Sequence, residues 1–263
     1  MDSISKTNRA RWNDLANANV EYSRPFLNFT VEEAENYVYR HGILSNIAGK
    51  QVLCLASGGG QDSVAFGLLG ANVTVLDLSD MQLHRDRLAA DHHGLQIRTI
   101  QGDMRDLSVF PDNQFEIVWQ MYSINFIPSV EPVFTEVRRV LKPGGVYFLQ
   151  FANPFSIGID NGKWDGKAYP LASLYIDGED LSERFPDWEV KQPDDSIVKC
   201  LSPHEFRHTL GSVLNGLTSH DFKLLGLWEW MKKDENSQLG SWEHFTQMIP
   251  PWFSTFWQLD KVG

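Results

Sequence analysis

The sequence predicts an α/β fold: a mostly parallel sheet with helices on both faces and a cap inserted after the fifth strand. Three observations carry that reading. Short apolar runs alternate with helical segments, a glycine run follows the first of them, and the alternation stops after Phe151. Apolar runs of roughly four to eight residues with helices between them are the mark of βαβ units, whose strands are buried on both faces.

Thr30 with Glu33 forms a capping box, and Val31, Ala34 and Val38 recur at helical spacing until Gly42 stops the pattern, so a helix leads into the first strand. That strand is read at 52–55 and ends in Ala56-Ser57-Gly58-Gly59-Gly60, after which a helix runs to about Gly70. The second strand, 73–76, ends at Asp77, and Ser79 or Asp80 opens a polar helix. His92-His93 beside Gly94 suits the negative end of that helix. Strands at 97–100 and 115–119 follow, then a helix carrying Val130, Val133, Val137, Val140 and Leu141, ended by Pro143-Gly144-Gly145 before a strand at 146–151. Residues 160–195 hold ten acids against four bases, with many glycines and prolines, as an inserted cap would. A final helix is read from Phe206, Leu210, Val213, Leu214 and Leu217, followed by strands at 222–228 and 252–259.

The 263 residues suit one domain with an embellishment. A formal net charge of -11 offers no basic field for a phosphate backbone or an anionic membrane, so neither nucleic acid nor membrane is an expected partner. No stretch reaches the roughly 18–20 apolar residues of a membrane span. Cysteine occurs only at Cys54 and Cys200, and nothing near the start pairs a basic region with a long apolar core, so a reduced, cytoplasmic protein is expected.

In an open α/β sheet, ligands bind beyond the carboxyl ends of the strands, where the strand order reverses. The first strand ends in the glycine run, where backbone can approach a ligand and the next helix offers free N–H groups; a plain tight turn explains the same residues. The second ends in Asp77, 19 residues after Gly58, where a carboxylate can accept from both hydroxyls of a ribose or lie in a solvated turn. The third ends in Gly102-Asp103-Met104. There an acid can accept from an adenine amino group, with Met104 and Leu78 around the ring, or cap a helix.

The chain resembles the class I S-adenosylmethionine-dependent methyltransferases from about Gln51 to Asn153, through VLCLASGGG, VTVLDLS, GDMRDL and EVRRVLKPGGVYFLQF. The last phrase distinguishes them from nicotinamide dehydrogenases, and the loop 57–63 also lacks a base for a pyrophosphate and has Ser63 at the third fingerprint position. The resemblance implies a Rossmann-like, seven-stranded, mostly parallel sheet. It also implies a single methyltransferase domain over 1–263: an N-terminal helical lid (1–48), a cofactor-binding core (49–153), an inserted cap and acceptor region (154–200), and a helix and strands completing the sheet (201–263). The implied cofactor is S-adenosylmethionine, giving S-adenosylhomocysteine, held by Tyr22, Ala56, Gly58, Gly60, Asp77, Leu78, Gln82, Asp103, Met104, Gln120 and Met121. Cys54 and Ala56 depart from the family, which usually has an acid and a glycine there.

Methyl transfer is an in-line displacement that needs collinearity and exclusion of water more than a dedicated catalytic residue. Tyr122 and His208 are the candidates on the acceptor side, and Asn153 and His204 could also face it. His204 and His208 have zinc-ligand spacing, but no third ligand accompanies them and no metal is expected. Seven of the nine tryptophans lie beyond residue 150, so either aromatic core packing or a small, partly apolar or cationic acceptor accounts for them. The competing readings are a nicotinamide-dependent oxidoreductase and a non-catalytic S-adenosylmethionine-binding protein. Oligomeric state is left open.

Overall fold

The computed structural model describes residues 1–171, 173–192, 194–231 and 236–260. A helix α1 (Ser3–Asn17) precedes α2 (Val31–Val38), and five parallel strands follow: β1 (Gln51–Leu55), β2 (Asn72–Asp77), β3 (Arg98–Gln101), β4 (Phe115–Met121) and β5 (Leu141–Ala152). Between them run α3 (Gln61–Leu68), α4 (Asp80–His92) and α5 (Glu131–Val140). An antiparallel hairpin of β6 (Asp187–Lys191) and β7 (Ile197–Leu201) stands apart from the main sheet. The chain continues through α6 (Leu210–Ser219), β8 (Phe222–Glu229), α7 (Trp242–Met248) and β9 (Trp252–Leu259). The main sheet has seven strands in the order β3-β2-β1-β4-β5-β9-β8, with β9 antiparallel to both neighbours. This is the expected Rossmann-like α/β architecture.

Alternation along the strands divides the core into two layers. Leu53, Leu55, Val118, Tyr147 and Leu149 face Val133, Phe134 and Val137 of α5 and Val213 and Leu217 of α6. Val52, Cys54, Ile117, Trp119 and Phe148 face Ala34 and Val38 of α2, Phe66 of α3 and Leu83 of α4. Trp119 stacks on Phe148 at 3.8 Å between centroids. Each fully buried side chain of this size contributes about 1.5–3 kcal/mol.

Four features differ from the sequence reading. The whole of α1 lacks a broad apolar stripe. It is fixed instead by its Asp2 cap, by Asn8 bonded to the carbonyls of Phe126 and His204, and by Trp12 and Leu15 against Trp188, Val190 and Cys200 of the hairpin. Lys142-Pro143-Gly144-Gly145 is a bulge inside β5: Leu141 pairs with Phe115 and Val146 with Ile117. Gly144 has φ +82°, and a Cβ on Gly145 would stand 2.8 Å from the Lys142 carbonyl oxygen. The helix read from Phe206 starts after its cap Thr209, leaving Phe206, His204 and His208 outside it, so the two histidines share no helical face. Nor is it the last helix, since the seven-residue α7 follows, capped by Ser241.

Candidate active site

The chain runs from β1 outward to β3 and then returns to β4 on the other side of β1, so the crevice lies beyond the ends of β1 and β4. A cavity of about 1150 Å³ opens there. Tyr22, Ala56, Gly58, Asp77, Leu78, Gln82, Asp103, Met104, Met121 and Tyr122 all line it.

Two of these residues hold uncommon backbone. Ala56, at the end of β1, has φ +54°, and Tyr122, at the end of β4, has φ +55°. For an L-residue the left-handed region costs about 1–2 kcal/mol, and such strain concentrates at functional sites. The alanine is therefore a strained stand-in for glycine. Ala56→Gly is expected to stabilise the protein by about 0.5–1 kcal/mol, the strain relieved less the extra freedom of the unfolded chain. A rise in melting temperature checks it; a fall would mean that neighbours favour this conformation of alanine.

The glycine run serves the chain's own packing as well as a ligand. A Cβ on Gly58 would lie 2.7 Å from the Tyr22 carbonyl oxygen, and one on Gly59 would overlap the carbonyl of Arg24. Gly59 N–H donates to Tyr22 and its carbonyl accepts from Phe26 N–H, so residues 22–26 lie directly on the run. Gly60 does not line the cavity. It caps α3 at φ +88°, where a Cβ would meet that of Ala89 at 2.7 Å, so its glycine is required by the close approach of α3 and α4.

Two further candidates are corrected. Gln120 is fully buried behind the cavity, its amide donating to Met104 Sδ at 3.2 Å and Ser123 Oγ at 3.0 Å while it accepts from the Tyr147 hydroxyl. It sets the position of Met104 instead of meeting a ligand. His208 is buried with Nε2 3.0 Å from the Ile124 carbonyl, outside the cavity lining, and burial lowers its pKa. Its role is to tie the loop before α6 to the end of β4. Asn153 is likewise spent on the Pro250 carbonyl at 2.8 Å, and His204 on Asp180 at 2.7 Å. Among the described residues no group of acids, histidines and cysteines could hold a metal.

The electrostatics are those of acceptors facing a donor-rich ligand. Burial raises the Asp77 pKa to about 7, with only the backbone N–H groups of Ser79 and Leu78 opposing it. Gln82 donates to Ser23 Oγ at 2.6 Å, while its Oε1 is buried without a hydrogen-bond partner. Both suit a ribose, whose hydroxyls donate. Asp103 is engaged differently: burial pushes its carboxyl up, but Arg105 at 2.7 Å and Ser5 at 2.6 Å outweigh that and hold it below the ordinary value.

Four acids lining the cavity, Glu21, Asp62, Glu205 and Glu229, escaped the sequence reading, and two of them make side-chain bonds there. Asp62, two residues past the glycine run, accepts from Tyr37 at 2.6 Å and Trp119 Nε1 at 3.1 Å, and burial raises it to about 6. It stands close enough to Cys54 that its charge helps raise that buried thiol's pKa. Glu205 accepts from the Tyr122 hydroxyl, and burial raises its pKa too. Opposite the strand ends, Trp228, Trp230, Trp242 and Trp252 form an aromatic wall. Of the described residues of the stretch 154–200, expected to build the acceptor region, only Trp188 lines the cavity; β8, α7 and β9 carry most of the tryptophan wall.

Fold and site together define a Rossmann-like domain with a cavity lined by the residues at the ends of β1, β2 and β3. A methyltransferase-domain family model matches residues 53–149. The uncharacterized methyltransferase YbaJ of Bacillus subtilis is 38% identical over 70% of this chain and 69% of its own length. The sterol 24-C-methyltransferase ERG6B of Gibberella zeae is 36% identical over 41% of this chain, which spans only 30% of that protein. An S-adenosylmethionine-dependent methyltransferase structure from Mesorhizobium loti has the same fold, with TM-score 0.62 at 21% identity over 87% of this chain and 100% of that one. The chain belongs to the class I S-adenosylmethionine-dependent methyltransferases and is an enzyme of that type.

Proposed function

We propose that this methyltransferase acts on a small, partly apolar molecule, releasing S-adenosylhomocysteine. The observation that carries the reading is one continuous cavity from Asp77 and Asp103 to the tryptophan wall. At about 1150 Å³ it exceeds the roughly 300–1,000 Å³ of a single small-molecule site, which suits a cofactor and an acceptor side by side. When bound, the cofactor supplies an electrophilic methyl group on a sulfonium. Asp77 and Gln82 would accept from the ribose, Leu78 and Met104 flank the base, and Met121 and Tyr122 stand where the two ligands meet. Asp103 would need to share its carboxylate between Arg105 and the adenine amino group. Asp62 would take the methionine ammonium in place of the acid missing at Cys54.

Segment 1–48 works as the lid in this reading: Ile4, Ser5, Asn8 and Trp12 of α1 line the cavity beside Tyr22. Hairpin β6–β7 supports it from the region 154–200. A net charge of -11 supports a small acceptor over nucleic acid or a membrane surface, and among the described residues no helix is long and apolar enough to cross a membrane. Two unpaired cysteines support a reducing compartment such as the cytoplasm.

Release of S-adenosylhomocysteine measured across panels of small molecules, tRNA and histone-like peptides tests the acceptor class. Turnover with small molecules alone is expected; turnover with tRNA or peptide alone would overturn the reading. Asp62→Asn is expected to weaken S-adenosylmethionine binding by about tenfold or more, since hydrogen bonds to charged groups are worth about 1.5–3 kcal/mol. Calorimetry checks it, and unchanged affinity would remove Asp62 from the subsite.

A further inference from the structure

The acceptor wall is both aromatic and negative. Trp252 is its hub, with ring centroids 5.2 Å from Trp230, 6.1 Å from Trp242 and 6.4 Å from Tyr122. Trp230 and Trp242 remain 42% and 40% exposed, so these rings are not consumed by core packing. Glu205 joins them through its bond from the Tyr122 hydroxyl. Its charge also reaches Tyr22, whose pKa is raised by burial and by Glu21 and Glu205. Among the described residues no cation lies within ion-pair distance of Glu205. Glu229 lines the same cavity.

The bases of the cavity are engaged elsewhere. Arg40 lies 4.7 Å over the Tyr37 ring and lowers the pKa of Asp62, while Arg105 is paired with Asp103 and Asp2. His41 stacks on Trp228 at 4.1 Å, and burial and Arg40 lower its pKa, which favours its neutral form. A partly desolvated carboxylate without a cation and a set of open π faces share one preference, a desolvated organic cation.

We propose that the methyl acceptor is an amine, seated as its ammonium ion against Trp230, Trp242 and Trp252 with an N–H directed at Glu205. The inference rests on the methyltransferase reading of the cavity and narrows its substrate class. The ammonium proton passes to the Glu205 carboxylate, freeing the nitrogen lone pair. The N–C bond then forms as the S–C bond breaks, with that electron pair staying on sulfur. The positive charge thus moves from sulfur to nitrogen, where the same rings hold it.

The test uses the full chain saturated with S-adenosylhomocysteine, whose own binding is measured first. Three isosteric probes are then titrated by tryptophan fluorescence: choline, the neutral 3,3-dimethylbutan-1-ol and the anionic 3,3-dimethylbutanoate. Choline is expected to bind about tenfold more tightly than the neutral probe, with the anion weakest. Glu205→Gln is expected to reduce that preference to about twofold, and Trp230→Leu, at an exposed ring, provides a second variant with the same expected direction. Equal affinities, a preference for the neutral or anionic probe, or no choline binding overturns the amine acceptor while leaving the methyltransferase reading intact. Failure of S-adenosylhomocysteine to bind overturns both.

Discussion

Asp77→Asn is expected to weaken S-adenosylmethionine binding by roughly 5- to 150-fold, the equivalent of about 1–3 kcal/mol for hydrogen bonds to a buried carboxylate. The geometry behind this is local. Asp77 ends β2, is 7% exposed, lines the cavity and accepts from the backbone N–H groups of Ser79 and Leu78. Its raised pKa supplies a second, independent readout. Only the carboxylate can accept from two hydroxyls, so with a pKa of about 7 the apparent affinity falls as pH drops through that value. Binding at pH 6 should be roughly tenfold weaker than at pH 8, and the asparagine variant should lose most of that dependence. In the ligand-free protein the same group acts with the opposite sign. Native Asp77 keeps its proton to a higher pH than the unfolded chain does, so its contribution to stability declines from the ordinary carboxylate range up to about pH 7. Calorimetric titration across pH and thermal melting check the two halves. A pH-independent affinity would mean that Asp77 does not hold the ribose.

Gly59→Ala is expected to lift the N-terminal segment off the glycine run. Its Cβ would overlap the Arg24 carbonyl oxygen and stand 2.8 Å from the carbonyl carbon and 3.0 Å from that of Ser23. These are backbone atoms, so no side chain can swing aside. Detachment also loses the bonds of Gly59 with Tyr22 at 3.0 Å and Phe26 at 3.1 Å. Overpacking of about 1–3 kcal/mol plus two hydrogen bonds of about 1 kcal/mol each gives a loss of about 3–5 kcal/mol, or roughly 6–20 °C in melting temperature for a chain of this size. Chymotrypsin should then cut quickly after Tyr22 or Phe26. Wild-type melting and cleavage would mean that residues 22–26 are not seated on the run in solution.

How much was legible in the sequence depended on distance along the chain. Ala56, Gly58, Asp77, Leu78, Asp103 and Met104 lie within the stretch where each strand end carries its own glycine or acid, and all six line the cavity. Gln120 was misassigned because it neighbours Met121 and Tyr122 in sequence. In a strand, adjacent side chains point to opposite faces, and Gln120 lies on the side of Tyr147 while Met121 packs with Trp119 and Phe148. His208 was misassigned on residue type alone; the carbonyl of Ile124, 84 residues away, decides its role. Glu205 left no local signal, since its partner Tyr122 is 83 residues away. The tryptophans announced themselves by composition, but only the pairing of β9 with β5 and β8 brings Trp252 beside Trp230 and Tyr122. Asp62, by contrast, was readable, since an acid two residues after the glycine run opens the next helix.

A crystal structure of the protein soaked with S-adenosylhomocysteine tests the central claim most directly. The ribose hydroxyls should lie within hydrogen-bond distance of Asp77, with the base between Leu78 and Met104 and the sulfur facing Tyr122 and the tryptophan wall. A ligand bound away from Asp77, or one whose sulfur points away from Tyr122, would contradict the account.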